Sequence, residues 1–266
     1  MVGSAAGCAV LDPKRSLVPR PPKTRPSCML PGHPGGADPK KAQFLLRHGC
    51  RHVVASPPAR GPDGCWTVES IKAKQKAVRA AGLEIGEMYI GVPLHALVPG
   101  KGRERAIRSL TGNIRAAGKA GIPCLHYNLR MRVWPARTGR TPGRGGATYS
   151  TWKLAEATRQ RGKRGLQGMS QDDLWEGVTY LLERIAPAAA KAKVNLACHP
   201  DDPPVPEEGL MGHNQVLNSV ADMKRFVSIA ANRYHGLSFC IGTVAEMLRN
   251  PGQEIYDVIE PIFRYS

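Results

Sequence analysis

Three places in the sequence put hydrogen-bonding or reactive side chains directly after a short apolar run. They are Tyr127-Asn128, the run His199-Pro200-Asp201-Asp202-Pro203-Pro204, and Cys240 after Phe239. Imidazole and thiolate are both good ligands for zinc, iron and similar metals. If His199 and Cys240 end successive strands of one sheet, both side chains can reach one divalent ion. The pattern therefore predicts a metal site that contains His199 and Cys240.

Each of these residues also has a purely structural interpretation. A histidine at a strand end is often held by hydrogen bonds alone, and a lone cysteine behaves as a small hydrophobic residue in a core. Asp201 and Asp202 can satisfy backbone N–H groups in a proline-rich turn. The residues alone leave both interpretations open.

The segments around these residues alternate between strand and helix patterns. Ser170 with Asp173 and Ser219 with Asp222 have the spacing of capping boxes at helix starts. Strands are predicted at residues 51–55, 83–89, 122–127, 194–198 and 237–241, and helices at 40–47, 67–81, 102–119, after Ser170, after Ser219 and at 255–263. This alternation predicts an α/β fold with a parallel sheet, either open or closed into a barrel.

The position of the polar residues decides between these two architectures. No glycine-rich phosphate-binding motif follows any predicted strand, which removes support for a nucleotide-binding open sheet. In a (β/α)₈ barrel, the C-terminal strand ends and their loops build the active site. The strand-end residues therefore favour the barrel.

Composition limits the class of protein. A chain of 266 residues with 42% hydrophobic residues suits one barrel, for which about 250 residues is typical. No apolar run approaches the roughly 20 residues that span a membrane. The seven scattered cysteines form no C-x-x-C pair, which predicts reduced thiols and a cytoplasmic protein. Residues 1–37 are predicted to be a disordered or misassigned Pro/Arg-rich leader, and residues 38–266 a partial barrel domain.

The net charge of +17 is unevenly distributed, because residues 101–170 carry sixteen Lys and Arg against two acidic residues. Such a region could bind nucleic acid through phosphate contacts, but it lacks interleaved aromatic residues and a zinc-finger pattern. A small anionic substrate needs only a few of these cations. We therefore expect a small anionic ligand, no membrane partner and no nucleic acid. The long segment from 130 to 164, with ten basic residues, is predicted to be a lid.

The motifs around His199 and Cys240 resemble those of the D-mannonate dehydratase family. In that family a strand-end H-P-D-D-P-P and a later F-C-x-G-[ST] supply the first two metal ligands. Residues 197–204 and 239–247 match this pattern. Residues 121–128 and 140–150 are similar to the family's strand before the substrate loop and to that loop. The similarity extends from about residue 38 to the end of the chain.

This resemblance implies a carbon–oxygen lyase on a xylose-isomerase-like barrel. Its reaction would remove water from D-mannonate to give 2-dehydro-3-deoxy-D-gluconate in glucuronate catabolism, with Mn²⁺ or Fe²⁺, in a protein that could form a homo-oligomer. The implied metal ligands are His199 and Cys240. The implied substrate-binding residues are Asn128, Arg144, Asp201 and Asp202, the two aspartates also bracing the site. Tyr127 is a candidate acid or base, with a hydrogen-bonded pocket wall as its alternative.

Two departures from the family accompany the resemblance. The family's remaining metal ligands, a His and an Asp, lie on its last two strands, whereas this chain ends at Tyr265-Ser266. Residues 1–37 do not look like the family's first strand. The expectation is a fragment, a frameshifted gene product or a decayed, inactive enzyme. The alternatives are another metal-dependent sugar isomerase or epimerase on the same barrel, and a basic nucleic-acid-binding protein without catalysis.

Overall fold

The computed structural model describes residues 39–61, 63–129, 137–159, 166, 168–205 and 208–264. The predicted leader at residues 1–37 lies outside this part of the chain. The described strands are β1 His52–Ala55, β2 Glu84–Tyr89, β3 Cys124–Tyr127, β4 Gly139–Pro142, β5 Thr148–Thr151, β6 Asn195–Cys198 and β7 His235–Leu237.

Five of these strands form one parallel sheet in the order β1-β2-β3-β6-β7. Each new strand is added on the same side, as in a barrel, whereas a doubly wound sheet reverses its order at a switch point. Within the described residues, β1 and β7 each have one neighbour, so this sheet does not close. The predicted fold class, an α/β barrel that is incomplete, is confirmed.

Helices connect the parallel strands and cover one face of the sheet. The described α-helices are α1 Pro39–Arg47, α2 Val68–Ala80, α3 Arg103–Lys119, α4 Leu154–Ala157, α5 Gln171–Ala192, α6 Val220–Ser228, α7 Ile241–Glu246 and α8 Pro251–Arg264. On α3 and α5 the apolar residues at helical spacing are buried, as their sequence periodicity predicts. No helix in the described part of the chain is long and apolar enough to cross a bilayer.

The helix starts show how local sequence sets the element boundaries. Ser170 accepts a hydrogen bond from the Asp173 N–H while the Asp173 carboxylate accepts one from the Ser170 N–H, so the predicted capping box at α5 is confirmed. Ser219 likewise accepts from the Asp222 N–H. Here the Asp222 carboxylate accepts instead from the N–H of Asn218, one residue earlier. The second predicted capping box is therefore only half formed.

The two faces of the sheet differ in burial. Leu125 and Tyr127 on β3, and Leu196 and Cys198 on β6, are at most 2% exposed and belong to the main apolar core. The residues between them along each strand are half-buried. Because side chains alternate between faces, one face of the sheet packs on the helices and the other is left for polar side chains.

Three sequence predictions of element bounds are wrong. The strand predicted at 237–241 ends at Leu237, because the Val244 N–H donates to the Cys240 carbonyl and Cys240 is the N-cap of α7. The last helix begins at Pro251 instead of residue 255, since proline is well placed in a first helical turn. The predicted loop at 130–164 contains α4 and the antiparallel hairpin β4–β5, whose turn uses the positive φ of Gly145 and Gly146.

Candidate active site

The chemistry-bearing side chains share the half-buried face of the sheet. Tyr89 on β2 lies beside His126 on β3, which lies beside Ala197 on β6. Residues two positions further along a strand return to the same face. This inner face therefore carries a set of polar residues at or near the strand ends: Glu87, Tyr89, Cys124, His126, Asn128 and His199. In a barrel, such a face lines the axis.

His199 is held in an orientation that suits a metal ligand. Its backbone N–H donates to the Tyr127 carbonyl at 2.8 Å, which fixes the chain just beyond β6. Its ring Nδ1 lies 2.7 Å from the Pro200 carbonyl, an acceptor only, so Nδ1 carries the proton. The neutral ring then has its lone pair on Nε2. Metal-binding histidines are commonly oriented in this way, by donating the other ring N–H to a carbonyl.

Cys240 follows the strand next to that of His199. The Ser238 N–H donates to the Cys198 carbonyl at 2.8 Å, which keeps the segment after β7 beside the end of β6. Cys240 is half-buried and uncrosslinked. The fold thus places the two predicted ligands after paired strands. In the described ranges, no group of three or more His, Cys, Asp and Glu side chains is arranged to hold a metal ion. Metal ligation by His199 and Cys240 stays a prediction.

Asn128 is oriented by a residue of the neighbouring strand. The Tyr89 hydroxyl donates to Asn128 Oδ1 at 3.3 Å. This contact assigns the oxygen of the amide to the Tyr89 side, so the Asn128 amide NH₂ is directed away from that hydroxyl. The arrangement suits hydrogen bonding to a hydroxyl or carboxylate oxygen of a ligand.

Tyr127 lies on the opposite, helix-covered face. Its side chain is 1% exposed, and burial, followed by the neighbouring Cys198 thiol, raises the pKa of its hydroxyl well above the ordinary value. A neutral phenol in the core is a poor general base. This geometry favours the structural alternative for Tyr127, a wall behind the site.

The two aspartates after His199 have different environments. Asp201 is 2% exposed, and its backbone N–H donates to the Leu217 carbonyl. Asp202 accepts two hydrogen bonds from Arg137, at 2.9 and 2.8 Å. Burial, and then the Asp202 carboxylate, raise the pKa of Glu246 on α7. Asp202 and Arg137 therefore tie the loops around the site together, which fits the bracing role.

Arg144 is separated from this cluster. It starts the 3₁₀ turn Arg144–Gly146 at the tip of the β4–β5 hairpin and is exposed. No described contact joins Arg144 to the strand-end residues. Its assignment to the substrate site stays a prediction.

Sequence reasoning missed His126 and Glu87 on the inner face. His126 Nδ1 lies 3.6 Å from Glu87 Oε2, and the His126 ring centre is 5.9 Å from that of His199. Nearby, burial and then the Glu87 charge raise the pKa of Cys124 to about 12. The alternation Cys124-x-His126-x-Asn128 was the signal that could have identified them, because residues two apart on a strand share a face.

The fold and these residues define an incomplete parallel α/β barrel in which a His and a Cys follow two neighbouring strands. Residues 153–263 match the family model described as D-mannonate dehydratase (UxuA). Mannonate dehydratases of Streptococcus suis and of Streptococcus equi subsp. zooepidemicus are 27% and 28% identical to the chain over 211 residues. In each case the match covers 70% of this chain and 57% of the relative. The resemblance to this family is confirmed.

A solved structure agrees with these matches. The crystal structure of the Streptococcus suis mannonate dehydratase superposes with a TM-score of 0.71 at 24% identity. The superposition covers 84% of this chain and 66% of that one. The match supports the barrel fold. The chain spans 57% of the length of the first curated relatives, and the activity of a whole dehydratase is therefore a proposal for this chain.

Proposed function

We propose that the inner face of this sheet takes part in the metal-dependent dehydration of D-mannonate to 2-dehydro-3-deoxy-D-gluconate. One observation supports the proposal most strongly. His199, whose Nδ1 is hydrogen-bonded to a carbonyl, follows β6, and Cys240 follows the paired parallel strand β7. Residues 153–263 of the same chain match the mannonate dehydratase family model. The substrate would be a small sugar acid, and the metal Mn²⁺ or Fe²⁺. We assign the protein to the cytoplasm.

His199 and Cys240 would hold the divalent ion. Their donor chemistry fits, since a neutral imidazole Nε2 and a thiolate are common ligands of such ions. A bound divalent ion would supply Lewis-acid stabilisation of the negative charge that develops beside the substrate carboxylate. His199 and Cys240 would provide two ligands, and a complete ligand set would need further donors.

The remaining residues of the face would bind and orient the sugar acid. Asn128, oriented by Tyr89, would donate to a substrate oxygen. Asp202, with Arg137, would keep the loop after His199 in place, and Arg144 on the hairpin would contribute positive charge. Tyr127, behind the sheet, would support the strand that carries Asn128.

Proton transfer requires a group on the inner face, because the C2 proton must be removed and the leaving hydroxyl protonated. The His126–Glu87 pair lies on that face with its ring close to His199. An imidazole can both accept and donate a proton, and the carboxylate beside it can orient the ring. His126 is therefore a better candidate for this task than the buried Tyr127.

Metal content tests the ligand assignment. The chain, purified and equilibrated with Mn²⁺, should retain bound metal after dialysis. Cys240→Ala should lower that metal content more than Cys124→Ala, because the half-buried Cys124, with its pKa of about 12, resists forming a thiolate. Equal metal content in the two variants would remove Cys240 from the site.

Ligand discrimination tests the substrate class. D-mannonate should raise the unfolding temperature of the Mn²⁺-loaded chain, whereas neutral D-mannose should not, since a carboxylate is what the proposed site recognises. A discontinuous assay for the 2-keto-3-deoxy acid then tests turnover. Equal stabilisation by both sugars would favour the isomerase or epimerase alternative. No observation on the described residues favours that alternative at present.

A further inference from the structure

A cavity lies beside the strand-end site, between the loop after β1 and the start of α3, and Tyr89 belongs to both. Its volume is about 1070 Å³, slightly above the range of about 300–1,000 Å³ that is usual for small-ligand pockets. Its walls carry four cationic side chains, namely Arg60, Lys101, Arg105 and Arg108. Asp63 is the acidic residue that lines it in the described part of the chain. The cavity is therefore strongly positive.

The cations of this cavity are not neutralised by the protein. None of the four forms an ion pair with a described residue. Asp63 is already engaged, because its Oδ1 accepts a hydrogen bond from the Cys65 N–H at 2.9 Å. Arg60 uses one N–H to bond the Gly64 carbonyl, and a guanidinium has five such donors. All four residues are exposed, so solvent and counter-ions screen their mutual repulsion, and an anion with several charges could replace those counter-ions.

An amide side chain adds an oriented neutral donor to the wall of the cavity. Asn113 lines the cavity and is 4% exposed. Its Oδ1 accepts the Trp66 N–H at 2.9 Å, which sets the orientation of the amide. The Asn113 NH₂ group has no hydrogen-bond acceptor among the described residues. This NH₂ group is therefore available to donate a hydrogen bond to an acceptor atom of a ligand in the cavity.

We infer that this cavity binds a small phosphorylated anion, such as a diphosphate or a phosphate ester. Three arginines and a lysine match an anion with two or more negative charges better than a single carboxylate. The planar guanidinium also matches the geometry of phosphate oxygens. Asn113 and Ser109, whose hydroxyl lies 3.3 Å from the Cys65 thiol, add neutral donors to the wall.

The cavity also touches the candidate active site. Tyr89 lines the cavity, and its hydroxyl donates a hydrogen bond to Asn128 Oδ1. A ligand in the cavity would therefore contact a residue that orients the predicted substrate-binding amide. The inference itself does not depend on the proposed dehydration, because it rests on residues outside the strand-end site.

Titration calorimetry with inorganic pyrophosphate tests the inference on the full chain. The double variant R105Q/R108Q should weaken binding by at least about tenfold, because hydrogen bonds to charged groups are lost. The matched control is K72Q/K76Q, which removes the same charge from exposed positions on α2, outside this cavity. The control should bind pyrophosphate within about twofold of the unmodified chain, by the screening of distant surface charges.

A second variant tests the cavity without removing a cation. Asn113→Asp keeps the acceptor for the Trp66 N–H but places a carboxylate where the NH₂ group was. It should also weaken pyrophosphate binding, and circular dichroism should show that the fold is kept. Absence of pyrophosphate binding, or an equal loss in R105Q/R108Q and K72Q/K76Q, would overturn the inference. A short single-stranded oligonucleotide serves as a further probe. The inference would also be overturned if this oligonucleotide bound more tightly than pyrophosphate and both double variants weakened its binding equally. That result would indicate diffuse nucleic-acid binding.

Discussion

Arg137 donates a hydrogen bond from each of its guanidinium NH₂ groups to the Asp202 carboxylate, with N–O distances of 2.9 and 2.8 Å. The contact joins the segment that enters the β4–β5 hairpin to the loop that follows His199. Asp202 is 65 residues further along the chain. The pair therefore links the two loops that the sequence assigned to the substrate and to the metal.

We expect this pair to contribute modestly to stability. The side chains are 41% and 27% exposed, and exposed ion pairs contribute up to about 1 kcal/mol. A double-mutant cycle with Arg137→Gln and Asp202→Asn, followed by urea unfolding, should give a coupling energy in that range. Arg137→Lys should lose most of it, since an ammonium cannot form the two parallel bonds. A coupling energy of zero would contradict the expected contribution of this pair to stability.

A buried histidine should make the fold sensitive to mild acid. His235 is 3% exposed, and its Nε2–H donates to the Phe226 carbonyl at 3.1 Å. Burial lowers the pKa of His235 below its unfolded value of 6.5. The unfolded state then binds more protons in mild acid, so the free energy of unfolding should fall as the pH drops below about 6.5.

The measurement is chemical unfolding between pH 7.5 and 5.5. His235→Gln preserves a donor for the Phe226 carbonyl but cannot titrate, so its stability should fall less over this interval. Part of the slope should remain, because burial also lowers the pKa of His213. An identical slope in the variant and the unmodified chain would contradict the role of His235.

The contact between α5 and the turn before α3 leaves no room at Gly177. A Cβ placed there would overlap the carbonyl oxygen of Leu97. Gly177→Ala should therefore destabilise the fold by about 1–3 kcal/mol, the usual cost of overpacking. Gly112→Ala is the matched control, since a Cβ at this α3 position meets nothing within 4 Å. It should stabilise the helix by up to about 1 kcal/mol. Urea midpoints of the two variants that shift in the same direction would contradict this packing.

The sequence identified the strand ends because burial and polarity change abruptly there. Asn128 and His199 were predicted to follow strands that end at residues 127 and 198, and the structure has both strand ends there. The end of β7 was predicted too late, because Phe239, Cys240 and Ile241 are all compatible with a strand. The hydrogen bond from the Val244 N–H to the Cys240 carbonyl shows that a helix begins there instead. The pairing of Arg137 with Asp202 joins distant segments, which local patterns do not encode.

The inner face of the sheet shows a second feature that the sequence alone did not predict, namely which residues share it. His126 became a site candidate only when the register placed it beside Tyr89 and on the face of His199. A one-residue shift of β3 would have exchanged it for Tyr127. Sequence alternation alone predicts that two faces exist, and the pairing of neighbouring strands decides which residues share one.

The β4–β5 hairpin should respond to a bound sugar acid. Its strands are exposed, the Arg140 guanidinium bonds the Thr148 hydroxyl across the hairpin at 2.9 Å, and Arg144 projects from the tip. If the proposed function holds, Arg144 gains an anionic partner when D-mannonate binds. Saturating D-mannonate with Mn²⁺ should then slow amide hydrogen exchange in residues 139–151 by several-fold, because a ligand contact adds to the free energy of local opening. D-mannose should have no such effect, and Arg144→Gln should reduce the protection while leaving exchange in α5 unchanged. If D-mannonate binds with the same affinity to both proteins and exchange in the hairpin does not change, the hairpin is not a lid and Arg144 does not belong to the substrate site.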